Sequence, residues 1–294
     1  KESRLTDAND GGLMDLGLSQ ILPFQRDPGD RNRTSPFAFT GNRFEFRAVG
    51  SSQSVSGPLV AMNTILADSL NWMADKLEAE LEGGKETHVA VAAVLKEVMD
   101  SHGNVVFGGD GYSREWHVAA VEERGLKNIP TTADALPWLM DKSVVELFER
   151  TGVLSPVELE SRYEVYAEQY ILSIGVEAKL VIELAKTVLY PATMSYVSDL
   201  ASTMKTSSKL GVDFDTSVLE GIGKETNAMM SSVASLEEAL AKHDFESTEA
   251  HMRHCAGALR ELMDAVRVHA DALETKVSDE YWPLPKYREM LFLR

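Results

Sequence analysis

Most of the chain shows the spacing of amphipathic helices, in which apolar residues recur every three or four positions. From Leu59 this spacing continues to Glu82, where the pair Gly83-Gly84 is expected to end the helix. Short polar or glycine-containing segments separate the periodic stretches. The pattern predicts helices over 59–82, 87–101, 113–124, 132–140, 142–150 and 156–205, and two more whose apolar seams run over 222–240 and 245–273.

Three signals predict where the C-terminal helices begin and break. Ser155 and Glu158 have the spacing of a capping box, in which each side chain bonds the other residue's backbone amide. Ser217 and Glu220 have the same spacing. Pro191 lacks the amide hydrogen that a helix interior needs, so the helix should kink or break just before it.

The order of these elements predicts a fold class that is α+β and mostly helical, with few strands followed by an antiparallel helical bundle. The short join at residues 243–244 favours an antiparallel pair of helices, packed against the helix over 156–205. Residues 206–216 are polar and are expected to form a linker. The tail over 278–294 contains Pro283 and Pro285, which cannot continue a helix, and its aromatic residues favour docking on the body or on a neighbouring subunit.

One segment, residues 42–48, has the alternation of a strand instead of a helix. Phe44 and Phe46 alternate there with Arg43, Glu45 and Arg47. Successive side chains of a strand point to opposite faces. The phenylalanines would therefore face a core, and the three charged side chains would share the other face.

Two interpretations of this charged face remain open on the pattern alone. A glutamate can bind a hard cation such as Mg²⁺, and guanidinium groups bind phosphates or carboxylates through a fixed fork. Together they would equip a phosphoryl-transfer site. Alternatively, Glu45 bridges its neighbours on a solvated sheet face, an interaction worth under about 1 kcal/mol. Arg33 adds little by spacing, because a loop of unknown course separates it from the strand.

Composition narrows the class of protein. The 294 residues are 44% hydrophobic and 26% charged, which suits a soluble globular protein of one large or two modest domains. The net charge of −17 disfavours nucleic acid and anionic membranes as partners. The one cysteine, Cys255, rules out an intrachain disulfide and makes a reducing cytoplasm the expected location.

Other candidate sites have weaker signals. The glycine-rich turn at 108–111 lacks the Gly-Lys-Ser/Thr ending of a phosphate-binding P-loop. His251 and His254, with Cys255 adjacent, could hold a transition metal, but a solvated helix face explains the same spacing. A stripe of tyrosines is expected to lie in the core rather than at a cofactor: Tyr163, Tyr166 and Tyr170.

The strand and the residues before it resemble the phosphate- and glutamate-binding segment of glutamine synthetases, and more narrowly of the long, type III class. The shared motif reads Asp-Arg-Asn-Arg-Thr-Ser-Pro-Phe-Ala-Phe over 30–39, then Arg-Phe-Glu-Phe-Arg over 43–47 and Gly-Ser-Ser over 50–52. Further similar segments follow in the family's order, at 109–113, 115–116, 132–137, 158–164 and 280–285. The resemblance runs from about residue 20 to the end of the chain.

The resemblance implies ATP-dependent ligation of ammonia to glutamate through γ-glutamyl phosphate, and a role for each charged residue of the segment. Glu45 would bind the magnesium or manganese ion that bridges the ATP phosphates. Arg47 would hold glutamate or the transferring phosphoryl group, and with Arg33 it would be catalytic. Arg33 and Arg43 would contact the ATP phosphates. Family membership further implies a homo-oligomeric ring.

The same resemblance implies a division of the chain. Residues 1–150 would be the C-terminal part of the catalytic domain, 151–277 a helical bundle and 278–294 a tail. The family's upstream metal carboxylates and histidine have no counterpart here, so the chain is expected to be the C-terminal portion of a longer polypeptide and inactive alone. Shorter members have a further arginine about where Ala38 or Phe39 stands, so one phosphate contact would have to come from elsewhere.

Two other functions remain open on the sequence. The chain could be a non-catalytic assembly module, with the helical part mediating contacts between subunits. It could instead belong to a related ATP-dependent ligase that joins another amine or acid. Catalytic carboxylates in an upstream sequence would argue against the first alternative, and competition by glutamate would argue against the second.

Overall fold

A computed structural model describes residues 54–105 and 111–291, except for the side chains of residues 287 and 288. Nearer the N-terminus it describes the backbone of four short strands: β1 (Leu13–Met14), β2 (Phe24–Gln25), β3 (Phe37–Phe39) and β4 (Phe44–Phe46). They form two antiparallel pairs, β1 with β2 and β3 with β4.

The described part of the chain is mostly helical, and its contacts divide the chain into two units. The N-terminal unit comprises residues 1–128 and 150–153, and the C-terminal unit comprises residues 129–149 and 154–294. The helices are α1 (Ser56–Glu82), α2 (Thr87–His102), α3 (Arg114–Glu122), α4 (Thr132–Ala135), α5 (Lys142–Arg150), α6 (Pro156–Leu184), α7 (Tyr190–Lys209), α8 (Ser217–Leu240), α9 (Thr248–His254), α10 (Arg260–Glu274) and α11 (Tyr287–Leu291).

In the N-terminal unit, α1 and α2 form a hairpin that turns at the predicted glycine pair. Gly84 has φ +83°, a left-handed conformation that glycine adopts without steric cost. Across the hairpin, Lys76 Nζ lies 2.8 Å from Glu97 Oε1. In the same unit, the Arg150 guanidinium donates to both carboxylate oxygens of Asp68 at 2.7–3.0 Å. The two helices predicted from apolar spacing, and the end of the first at the glycine pair, are therefore confirmed.

The helix expected to start at Ser113 is also confirmed, although it is shorter than predicted. The Ser113 hydroxyl accepts a hydrogen bond from the Trp116 amide at 3.1 Å, which satisfies one free amide of the first turn. The helix ends at Glu122 rather than at Arg124. Gly125, with φ +69°, follows it in a left-handed conformation that stops further helical turns.

The core of the C-terminal unit is built around one face of α8. The residues of this core are almost wholly inaccessible to solvent and come from α6, α8, α10 and the segments between them: Ile174, Ala178, Ala185, Leu189, Ile222, Met229, Val233, Leu236, Cys255, Leu259, Val266 and Leu273. Tyr163 is also buried, and Tyr170 packs against this core, which confirms the prediction for these two tyrosines.

The helices that follow α8 run antiparallel to it, as two contacts show. The His254 Nε2 atom lies 3.0 Å from the Ala239 carbonyl oxygen, near one end of α8. Toward the other end, His269 Nδ1 lies 2.9 Å from Glu225 Oε2. Residue numbers thus rise along one helix as they fall along the other.

One of the two predicted capping boxes is present. Ser155 Oγ accepts from the Glu158 amide, and Glu158 accepts in turn from the Ser155 amide. The prediction that Ser217 caps the next helix is wrong. Thr216 is its N-cap, and the Thr216 hydroxyl donates to Glu220 at 2.8 Å. Ser217 instead donates its amide and its hydroxyl to the Asp215 carboxylate.

The break expected before Pro191 takes the form of a π-helical turn. This turn, residues Ala185–Leu189, connects α6 to α7. Pro191 follows this turn by two residues, and the backbone on both sides of the turn keeps helical angles, so the chain bends its hydrogen-bond pattern there without leaving the helix. The predicted linker is wrong over residues 206–209, because α7 runs to Lys209 before Gly211 turns the chain with φ +79°.

The C-terminal tail docks onto the body of its own unit, as its aromatic content predicted. Trp282 is 8% exposed and belongs to the main core. The Tyr281 ring lies 5.3 Å from the ring of Tyr196 on α7. Lys286 donates to the Glu274 carbonyl at the end of α10 and pairs with Asp279 at 2.6 Å.

Within the described residues, none of the helices combines the length and the hydropathy needed to cross a membrane.

We predict that Leu236→Ala lowers the free energy of unfolding by about 3 kcal/mol, because it removes a fully buried side chain and leaves a cavity. Urea denaturation followed by circular dichroism measures this change. Leu210→Ala is the control, because Leu210 is 80% exposed and its loss should cost under about 0.5 kcal/mol. Equal losses in the two variants would show that the α8 face is not the core of this unit.

Candidate functional site

Of the residues predicted to form an active site, the structure describes the backbone of Glu45 alone. Glu45 is the central residue of β4, which confirms a strand at the middle of the predicted segment 42–48. Arg33, Arg43 and Arg47 lie outside the described residues. Their predicted convergence with Glu45 therefore stays a prediction.

The register of β3 and β4 places position 38 directly opposite position 45. Ala38 pairs with Glu45, flanked by the pairs Phe37–Phe46 and Phe39–Phe44. Directly opposed positions of an antiparallel pair have Cβ atoms about 4.5–5.5 Å apart. The resemblance sets a further arginine of shorter glutamine synthetases at about position 38 or 39. If it stood at position 38, that arginine would be the cross-strand neighbour of the predicted metal ligand.

The donor chemistry of Glu45 fits a magnesium ion bound together with a nucleotide. Mg²⁺ is commonly held by one or two carboxylates plus substrate phosphates and water. One glutamate of this strand could therefore supply one metal ligand, but it does not form a complete metal site. In residues 54–105 and 111–291, no three histidine, cysteine, aspartate or glutamate side chains converge on a common point. The remaining ligands would have to lie elsewhere.

A second cluster of polar side chains lies in the C-terminal unit, where the loop between α8 and α9 returns to the bundle. The ring of Phe245, in this loop, stacks on the ring of His251 with centroids 4.2 Å apart. It also contacts His254 at 5.1 Å in a tilted arrangement. Both histidines are half-buried, so the predicted solvated helix face is wrong. The physical reason is Phe245, which covers them from outside the helix.

This cluster borders a groove on the surface of the C-terminal unit. The groove has a volume of about 680 Å³ and is lined by apolar and charged residues of α6, by the end of α8 and the loop after it, and by His243, His251 and His254. One nitrogen of His254 is already engaged by the Ala239 carbonyl. The sequence showed the spacing of His251 and His254, but it did not show that the loop brings Phe245 and His243 to them.

An ion pair that the sequence did not predict connects Glu225 of α8 with His269 of α10. Glu225 lies 2.9 Å from His269 and 3.5 Å from Lys276. The hydrogen bond from His269, assisted by Lys276, lowers the pKa of the Glu225 carboxyl. Sequence analysis placed His269 on an apolar seam. Its partner is remote in the sequence, and no local signal identifies it.

Comparison with known proteins agrees with the resemblance in the strand motif. The family model described as the glutamine synthetase C-terminal domain matches residues 90–208. The chain is 37% identical over 293 residues to the type-3 glutamine synthetase of Dictyostelium discoideum, covering 96% of this chain. The chain belongs to the glutamine synthetase family. The name of the Dictyostelium relative also agrees with the type III resemblance.

Two bacterial relatives in the glutamine synthetase family match over nearly the same extent. The glutamine synthetase of Bacteroides fragilis is 33% identical over 289 residues, and that of Butyrivibrio fibrisolvens is 34% identical over 280 residues. The chain spans about 39% of the length of each of these relatives. It corresponds to a C-terminal portion of a glutamine synthetase.

We predict that His251 makes the C-terminal unit less stable in mild acid. Burial, together with the nearby His254 and His243, lowers the pKa of His251 below its ordinary value of 6.5. Its contribution to stability is therefore present above pH 6.5 and is lost as the pH falls through the lower, folded-state pKa, because the unfolded chain takes up the proton first.

Urea unfolding of the wild-type chain and of His251→Phe, at about pH 7.5 and about pH 5.5, tests this linkage. The phenylalanine keeps a ring against Phe245 but cannot titrate, so the variant should lose less stability on acidification. His88→Phe, at an exposed position of the N-terminal unit, is the control and should behave as wild type. An unchanged pH dependence in His251→Phe would contradict the prediction.

Proposed function

We propose that this chain supplies part of the active site of a glutamine synthetase, an enzyme that ligates ammonia to glutamate at the expense of ATP. The observation that carries the proposal is the near-complete coverage of the chain by relatives named glutamine synthetase, at 33–37% identity. The Arg-Phe-Glu-Phe-Arg motif around β4 supplies the residue types that such chemistry needs.

In the proposed reaction, the γ-carboxylate of glutamate attacks the γ-phosphate of ATP and releases ADP. Ammonia then attacks the resulting γ-glutamyl phosphate, and inorganic phosphate leaves as the carbon–nitrogen bond forms. Phosphoryl transfer of this kind depends on positioning and on neutralising the charge of the transferring group. Arginine forks and a metal-binding carboxylate serve those two needs.

We assign a role to each residue of the motif. Glu45 would hold a magnesium or manganese ion, which when bound neutralises charge on the ATP phosphates. Arg47 would orient glutamate or the transferring phosphoryl group through its fork. Arg33 and Arg43 would bind the ATP phosphates, with Arg33 also acting in catalysis. Because one carboxylate is not a complete metal site, the remaining ligands would come from other parts of a longer polypeptide.

The proposal extends to the organisation of the chain. Residues 1–150 would complete a catalytic domain, 151–277 would form an antiparallel helical bundle and 278–294 its tail. Subunits would assemble into a homo-oligomeric ring in the cytoplasm. The buried, unpaired Cys255 is compatible with a reducing compartment.

An assembly role is the second candidate function, and one observation favours it. Within the described residues, the helices of the C-terminal unit hold a large buried core while valine and leucine side chains of α6 are exposed. A helical unit of this kind could organise subunits without chemistry of its own. The two candidates differ in whether the motif around β4 is needed for turnover.

We predict that Glu45→Gln, in the full-length enzyme that contains this chain, lowers kcat by at least about 100-fold, because a carboxylate that holds the metal is lost. Glutamine formation at a series of magnesium concentrations measures the effect, and the activity that remains should require more magnesium. Glu160→Gln, at an exposed position of α6, should leave kcat unchanged. Normal turnover with normal magnesium dependence in Glu45→Gln would refute its role.

We predict that Arg47→Lys also lowers kcat severely, by about 100-fold, because lysine keeps the charge but loses the two-point fork. Steady-state kinetics with varied glutamate and varied ATP would show which substrate it holds. Arg267→Lys is a matched control at an exposed position of α10. Unchanged kinetics in Arg47→Lys would exclude a fork contact to either substrate.

A further inference from the structure

We draw no further inference here: the strongest candidate, the groove of about 680 Å³ that α6, the end of α8 and the side chains of His243, His251 and His254 line in the C-terminal unit, is bounded by the exposed face of α6, and nothing in the part of the chain that the structure describes shows what covers it.

Discussion

The packing of α8 against its neighbours is the constraint on which the C-terminal unit depends. Ile222, Met229, Val233 and Leu236 form one continuous buried row, and α6, α10 and the tail all pack on it. Burial of such a row is the main source of stability for a helical unit, because helix propensity alone is marginal in water. Polar contacts such as Glu225 with His269 then set the register of α8 against α10.

Sequence reasoning recovered the helices because their apolar spacing and caps are local signals. The capping box at Ser155, the hairpin glycines and the interruption before Pro191 were all readable in this way. It failed where a specific side-chain contact beside a helix end decided the outcome. Ser217 donates to the Asp215 carboxylate and Thr216 is the N-cap, and Phe245 covers histidines that were expected to face solvent. Neither contact leaves a periodic trace in the sequence.

At the candidate active site, the sequence motif is more informative than the structure. Alternation around Glu45 predicted a strand, which is present, but it could not distinguish a metal ligand from an ordinary surface glutamate. The motif resemblance favours the metal ligand, and that role of Glu45 stays a prediction. The residue roles remain proposals, because strand geometry alone does not bring Arg33 to Glu45. When several segments form an active site, the sequence pattern of one segment does not identify the residues that the other segments contribute.

We propose that this chain functions as part of a longer glutamine synthetase polypeptide. The most direct measurement is the denaturing mass of the native polypeptide, detected in its source with an antibody against the α8–α10 region. The account predicts a mass well above the 32.4 kDa of this chain, because the chain spans about 39% of its relatives. A native polypeptide of about 32.4 kDa would contradict the claim and favour the assembly role instead.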